Sequence, residues 1–126
     1  MKSLSTNYSR GLIAEIYAGF FLILKGYKIR EWRYKTSVGE IDFIISKNNI
    51  TAFVEVKLRS TKDEALLSIT PKMKSRISRA AQYYLARQLK DTANNVGKKE
   101  AEYRFDVIGV SGFRIWHLDN AWFTPT

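Results

Sequence analysis

Two apolar runs on either side of Asn48-Asn49 constrain the fold more than any other part of this 126-residue chain. Residues 40–47 and 50–59 are rich in β-branched and aromatic side chains, which favour strands. Asparagine tolerates positive φ, so this dipeptide suits a two-residue hairpin loop. The pattern therefore predicts an antiparallel hairpin in which Lys47 pairs with Ile50.

The predicted register brings two acidic side chains together. Counting outward from the loop, Asp42 lies opposite Glu55 and Glu40 lies opposite Lys57, all on one face. Opposed carboxylates repel, and a shared proton, a nearby cation or a divalent metal ion relieves the repulsion. Two interpretations follow: a surface hairpin with a Glu40–Lys57 ion pair, or a site for a hard cation such as Mg²⁺, which binds through one or two carboxylates.

The residue inventory excludes several other kinds of site. The chain has no cysteine and a single histidine, His117. It therefore lacks disulfides, thiol nucleophiles, cysteine-bound zinc and multi-histidine metal sites. It also lacks a Gly-rich phosphate loop and a G-x-S-x-G motif, which argues against nucleoside triphosphatases, dinucleotide enzymes and serine hydrolases. We read His117 as structural, and Asp106 as the ion-pair partner of Arg104 on the same strand face.

The length fits one domain over residues 1–126, since a domain takes roughly 150 residues. The expected class is α/β, with a mixed β-sheet flanked by helices in the order α-β-β-β-α-β-β. The predicted elements are a helix at about 7–25 ended by Gly26, strands at 27–35, 40–47 and 50–59, a charged mobile connection at 60–68, a helix from Thr70-Pro71 to about residue 90, a polar loop at 91–99, and strands at 103–110 and 113–118.

The first predicted helix is apolar around nearly its whole circumference, so we expect it to be buried. Glu15 interrupts it, beside the small residues Ala18 and Gly19. An unpaired buried carboxylate is costly, so Glu15 should be exposed, protonated, paired or bound to a metal. The apolar stretch at 12–24 is shorter than the roughly 20 residues that span a bilayer, and Glu15 breaks any signal-peptide core. We therefore expect a soluble cytoplasmic protein without a membrane partner.

The second predicted helix carries much of the net charge of +9, which arises from 21 basic and 12 acidic residues. Residues 71–90 include six basic residues and no acidic one. At 100° per residue, five of these cations fall in a stripe about 80° wide that also contains Tyr83. The five are Lys72, Arg76, Arg79, Arg87 and Lys90. The stripe predicts contact with nucleic-acid phosphates, and the alternative is a solvated face that only improves solubility.

The motifs of the chain resemble a known family. G-E-I-D at 39–42, followed by F-V-E-V-K at 53–57 and then Arg59, resembles the YraN-like family of predicted endonucleases. That family belongs to the wider PD-(D/E)XK nuclease group and is similar in fold to archaeal Holliday-junction resolvases. The resemblance covers nearly the whole chain, including Glu15, the A-A-Q-Y-Y-L run at 80–85 and R-F-D-V at 104–107.

The resemblance implies a restriction-endonuclease-like core and a metal-dependent site. It implies that Asp42 and Glu55 bind Mg²⁺ or Mn²⁺, that Lys57 is the catalytic lysine, and that Glu15 is a supporting ligand. The backbone carbonyl of Val56 is a further candidate ligand.

The expected function is endonucleolytic cleavage of DNA, including branched DNA. Arg59 and the basic stripe would hold the phosphate backbone. The alternatives are a non-catalytic nucleic-acid-binding module on a nuclease scaffold, and a basic protein bound to an assembly such as the ribosome. By analogy with four-way junction resolvases, which cut symmetrically as dimers, a homodimer is a further expectation.

Overall fold

The computed structural model describes residues 2–91 and 102–122, with side chains described for 8–90 and 102–122. It is a five-stranded mixed sheet with helices on both faces. The elements are α1 (Lys2–Leu24), β1 (Lys28–Lys35), β2 (Glu40–Lys47), β3 (Ile50–Leu58), α2 (Lys62–Leu67), α3 (Pro71–Asp91), β4 (Glu102–Ser111) and β5 (Arg114–Trp122). The predicted class and order are confirmed, with α2 as an additional short helix.

The sheet keeps its strands in chain order, from β1 at one edge to β5 at the other. Neighbouring strands are antiparallel except β3 and β4, which are parallel. A parallel pair needs a crossover, and the segment containing α2 and α3 connects β3 to β4. The basic helix α3 therefore follows, after α2, the strand that carries Glu55 and Lys57.

The β2–β3 hairpin has the predicted register. Lys47 pairs with Ile50, and the ladder continues to Phe43 and Val54. Asn48 has φ of 55°, the left-handed conformation expected in this loop. The ladder ends at that last pair, so the expected pairings of Asp42 with Glu55 and of Glu40 with Lys57 are not part of the hydrogen-bonded sheet.

Alternating strand residues build a separate core on each face of the sheet. On one face, α1 covers Phe43, Ile45 and Val54 among others. On the other, α2 and α3 cover a cluster that includes Ile44 and Phe53. Ile41 also belongs to the second cluster, although its odd number matches the first. The alternation therefore breaks between Ile41 and Phe43, and Asp42 lies at this break.

The expectation that α1 is buried on all sides is wrong. Its sheet-facing residues Ala14, Ala18 and Leu22 are buried, whereas Ile13 and Phe20 are 65% and 63% exposed. The sheet covers one side of the helix, and no other element in the described parts of the chain packs against the opposite side. None of the helices described has the length and hydropathy needed to cross a bilayer.

The expected mobile connection at 60–68 is also wrong, because part of it forms α2. Thr61 caps this helix by accepting a hydrogen bond from the Glu64 N–H at 3.1 Å. Ala65 is fully buried and packs so closely against Gly109 that a side chain at position 109 would collide with the Ala65 methyl group. The Thr-x-x-Glu spacing is a capping-box pattern, so the sequence did contain a signal for this helix.

Most of the remaining boundaries agree with expectation, although α1 begins at Lys2, earlier than the predicted residue 7. Gly26 ends α1 with φ of 96°, and Thr70 caps α3 by accepting a hydrogen bond from the Met73 N–H. The last strand is longer than predicted and continues to Trp122 through an irregularity at Asn120, whose φ is 52°. Of the predicted loop at 91–99, residues 92–99 lie outside the described residues, and residue 91 ends α3.

Candidate functional site

Asp42 and Glu55 are in contact where β2 and β3 separate. One Asp42 carboxylate oxygen accepts a hydrogen bond from the Val56 N–H at 2.8 Å. The Asp42 carboxyl is also close enough to that of Glu55 to raise the Glu55 pKa. Asp42 therefore bridges the two strands at the point where their backbone ladder has ended.

The environment favours a proton on this carboxyl pair. Burial raises the pKa of Glu55 well above the ordinary value of a glutamate, and the hydrogen bond and negative charge of Asp42 raise it further. Lys57 opposes this shift, and Glu40 adds slightly to it. Without a metal ion, the raised pKa of Glu55 therefore favours a shared proton as the way in which the opposed carboxylates relieve their repulsion.

Glu15 is a further acidic group near this pair, and it has a cationic partner. Its Oε2 accepts a hydrogen bond from the Arg33 Nε at 2.9 Å, with the Glu15 side chain only 16% exposed. The Arg33 guanidinium also lies 5.1 Å from the ring centre of Trp32 and 5.9 Å from that of Tyr8. Glu15 was expected to be exposed, protonated, paired or bound to a metal, and the structure shows it paired with Arg33.

Arg33 is a residue that the sequence reasoning missed. Its φ is 55°, a left-handed conformation that non-glycine residues seldom adopt and that is found at strained functional sites. The carboxylate of Glu15 in an apolar helix indicated that a partner, such as a cationic side chain, would lie close to it. The chain has 21 basic residues, so only the fold could identify which one was close.

Two adjoining clefts meet at Glu15 and Arg33. One, of about 190 Å³, is also lined by Glu40 and Asp42. The other, of about 250 Å³, extends to Val56 and Leu58. The structure therefore brings Glu15 and Asp42 to the same cleft, and Glu55 adjoins it through Asp42. Lys57 is half-buried on the same strand as Glu55 and does not line either cleft.

The donor atoms suit a hard divalent cation held by few protein ligands. Asp42 and Glu55 offer adjacent carboxylates, and Mg²⁺ is commonly bound through one or two carboxylates with water completing its shell. No cluster of three acidic, histidine or cysteine side chains suitable for a metal occurs within residues 2–91 and 102–122. Glu15 would have to exchange Arg33 for the cation to become a ligand, so the residues fit a two-carboxylate site.

The basic stripe lies on the exposed face of α3. All five predicted cations and Tyr83 are exposed; they are Lys72, Arg76, Arg79, Tyr83, Arg87 and Lys90. The opposite face, with Ile77 and Tyr84, is buried against the sheet. Arg59, at the end of β3, is exposed as well.

The stripe begins beside the strand that carries the acidic residues. A Cβ on Gly39 would overlap the backbone carbonyl of Arg76, so the absence of a side chain allows this close approach. Gly39 directly precedes Glu40 and lies three residues before Asp42. The basic helix and the carboxyl pair are therefore neighbours in the folded chain.

His117 and Asp106 form a buried network away from these clefts. Asp106 is fully buried and accepts hydrogen bonds from Arg104 at 2.9 Å and from the Asn120 N–H at 3.0 Å. The His117 Nε2 lies 2.8 Å from Asp106, and Lys25 contacts the other ring nitrogen. Burial alone would raise the pKa of Asp106, but these hydrogen bonds together lower it. The expected Arg104–Asp106 pair is confirmed, and His117 belongs to the same structural network.

Sequence comparison identifies relatives along most of the chain. Residues 14–110 match the uncharacterised protein family UPF0102. A UPF0102 protein of Bartonella quintana is 39% identical over 118 residues, covering 94% of this chain and 91% of the relative. A second relative, from Bradyrhizobium diazoefficiens, is 40% identical, and the match covers 80% of this chain and 71% of the relative. A third, from Bradyrhizobium sp. ORS 278, is 43% identical, and the match covers 82% of this chain and 69% of the relative. The chain therefore belongs to the UPF0102 family, the YraN-like family that its hairpin motifs resemble.

Proposed function

We propose that this protein is a Mg²⁺- or Mn²⁺-dependent phosphodiesterase that cleaves DNA internally, with branched DNA among its substrates. The observation that carries the proposal is the Asp42–Glu55 contact, with Lys57 following on the same strand. The proposed fold type is a restriction-endonuclease-like core, supported by the strand order and by the position of these residues where β2 and β3 separate. The proposed location is the cytoplasm, where bacterial DNA resides.

Each residue at the site has a distinct proposed role. Asp42 and Glu55 hold the cation, with the Val56 carbonyl as a further oxygen donor. When bound, a divalent cation neutralises phosphate charge and favours ionisation of water. Lys57 orients the attacking water and offsets charge on the phosphate. Glu15 supports the site from the same cleft, and Arg33 holds the Glu15 carboxylate in position.

The basic stripe and Arg59 supply the proposed contact with the DNA backbone. Phosphate contacts position a protein on DNA without reading its sequence. The exposed stripe runs along α3 from Lys72, and the backbone of Arg76 in the second turn packs closely against Gly39. DNA lying along the stripe would therefore pass close to the carboxyl pair.

A cleavage assay tests the proposal. Purified protein is incubated with linear, flapped and four-way DNA in Mg²⁺ or Mn²⁺, beside Glu55→Gln and Lys57→Ala. We expect wild-type cleavage and a loss of at least 100-fold in each variant, the scale of removing a group that acts on the reacting atoms. Asp63→Asn and Lys62→Ala, which change exposed residues of α2, are the matched control variants and should cleave DNA at the wild-type rate. Equal rates in the wild type and both site variants would refute catalysis at this site.

One observation favours a second function, a non-catalytic module that binds nucleic acid. Glu15 is held by Arg33, and the described residues contain no three-ligand metal cluster. This alternative predicts that wild-type protein and both site variants bind DNA equally and that none of them cleaves any substrate. The same set of proteins, compared by cleavage and by gel shift, separates the two functions.

A further inference from the structure

The side of α1 that faces away from the sheet is a large exposed apolar surface. It consists of six side chains that are each at least 36% exposed: Ile13, Ile16, Tyr17, Phe20, Ile23 and Leu24. At 100° per residue they occupy an arc about 120° wide, opposite the buried row of Ala14, Ala18 and Leu22. We call these six residues the outer face of α1.

The outer face extends onto the β4–β5 turn and carries no charge. Phe113 in this turn is 95% exposed, and its carbonyl accepts a hydrogen bond from the Tyr17 hydroxyl at 2.8 Å. Between Arg10 and Lys25 the only charged residue is Glu15, which faces the cleft and is paired with Arg33. The outer face of α1 is therefore uncharged, although the net charge of the chain is +9.

The exposed area is too large for an ordinary monomer surface. Taking roughly 200 Å² for a fully exposed large apolar side chain, the outer face and Phe113 expose on the order of 800 Å². Contiguous apolar patches on monomers are usually about 300–600 Å². Each partner in a standard protein interface buries about 800 Å², so the area matches one half of a stable dimer.

The order of side chains suits a second copy of the same helix. Ile13, Ile16, Phe20 and Ile23 are spaced three, four and three residues apart, the a/d spacing of helices that pack side by side. The row reads almost the same in both directions. Two antiparallel copies would therefore place Ile13 near Ile23 and Ile16 near Phe20, the self-complementarity that two-fold symmetry requires.

We propose that the outer face of α1 forms a two-fold interface between two copies of this protein. The contact would be apolar. A lipid surface fits less well, because interfacial helices carry many Lys and Arg beside their apolar face, whereas residues 11–24 of α1 contain none. The proposal does not depend on the proposed nuclease activity.

Sedimentation velocity of the full chain, without metal or DNA, tests the interface. We expect a species of twice 14.6 kDa for the wild type and of 14.6 kDa for Phe20→Asp, with at least a tenfold weaker dimer. Leu67→Asp is the matched control, because Leu67 is 80% exposed on α2, outside the outer face. It should sediment like the wild type. Far-ultraviolet circular dichroism checks that both variants fold.

Crosslinking provides a second measurement that does not rely on a disruptive charge. The chain has no cysteine, so Phe20→Cys and Leu67→Cys each introduce a unique thiol. A bifunctional maleimide should join Phe20→Cys chains into dimers and leave Leu67→Cys chains monomeric. A wild-type monomer at every concentration, a dimer that Phe20→Asp leaves intact, or equal crosslinking of both thiols would overturn the proposal. Binding of a monomer to acidic vesicles through Phe20 would overturn it in favour of a membrane surface.

Discussion

At the scale of single residues, the contact between Asp42 and Glu55 determines how the protein should respond to pH. A carboxyl whose pKa is raised by folding keeps its proton in the folded state after the unfolded chain has lost it. The free energy of unfolding therefore falls as the pH rises, whereas an ordinary salt-bridged carboxylate makes it rise. The fall begins above pH 4.5, the unperturbed pKa of a glutamate, and continues to the raised pKa of Glu55.

We therefore predict that the metal-free protein becomes less stable as the pH rises. In a chelator, the free energy of unfolding should fall between about pH 5 and pH 8 by up to about 1.4 kcal/mol per pH unit from this group. Urea denaturation at several pH values measures the slope. Mn²⁺ should reduce it, because a cation stabilises the ionised pair in place of the proton.

The control for this prediction is Glu55→Gln, which keeps the hydrogen bond but does not titrate. Its unfolding free energy should depend less steeply on pH than that of the wild type. It should also respond less to Mn²⁺. Parallel pH profiles for the two proteins would show that the proton is not held at Glu55.

At the scale of elements, helix α3 has one face that packs on the sheet and one face that is exposed to solvent. Ile77 and Tyr84 pack on the sheet, while the five cations of the stripe face solvent. Arg76 and Arg79 are exposed and have no acidic residue three or four positions away, so their removal should affect binding and leave stability nearly unchanged.

We predict that Arg76→Ala combined with Arg79→Ala weakens DNA binding at all sequences. If both residues contact phosphates, the slope of log affinity against log salt should become shallower by about 1.8 on duplex DNA. Fluorescence anisotropy across a range of salt concentrations measures this change. Lys28→Ala combined with Arg114→Ala removes two exposed cations from the edge strands and is the control for net charge. An equal change in both double variants would assign the effect to net charge alone.

At the scale of the whole molecule, the Asp106 network connects elements that are distant in sequence. Asp106 joins β4 to β5 through His117, and Lys25 after α1 contacts the same histidine. Arg104 also donates to the Tyr27 hydroxyl at 2.6 Å, at the start of β1. A buried carboxylate with this many donors holds α1 against the far half of the sheet.

We predict that Asp106→Asn lowers the free energy of unfolding by about 3 kcal/mol at neutral pH, because Arg104 loses its buried counter-charge. Since folding lowers the pKa of Asp106, its contribution is present above the ordinary carboxyl pKa and is lost on acidification. The difference from the wild type should therefore shrink at low pH. Asp119→Asn, on the exposed surface of β5, should change stability by less than about 0.5 kcal/mol. A similar loss in both variants would contradict a special role for Asp106.

Local sequence determined the elements that depend on neighbouring residues. The turn residues Asn48 and Gly26 need positive φ, and the residues around them set the hairpin register and the end of α1. The same register predicted that Asp42 and Glu55 would be close, although the ladder ends one pair before them, at Phe43 and Val54. The amphipathic pattern of α3 likewise predicted its buried and exposed faces, because a helix presents every third or fourth residue to the same side.

Only the tertiary structure decided which residues meet across long separations. Sequence could show that Glu15 needed a partner, but its pairing with Arg33 depends on how α1 lies across β1. The apolar character of α1 predicted burial, yet a single sheet covers only one of its faces. Hydropathy records what a side chain prefers, whereas the number of elements available to cover it is a property of the whole fold. The exposed outer face of α1 was for that reason visible only in the folded molecule.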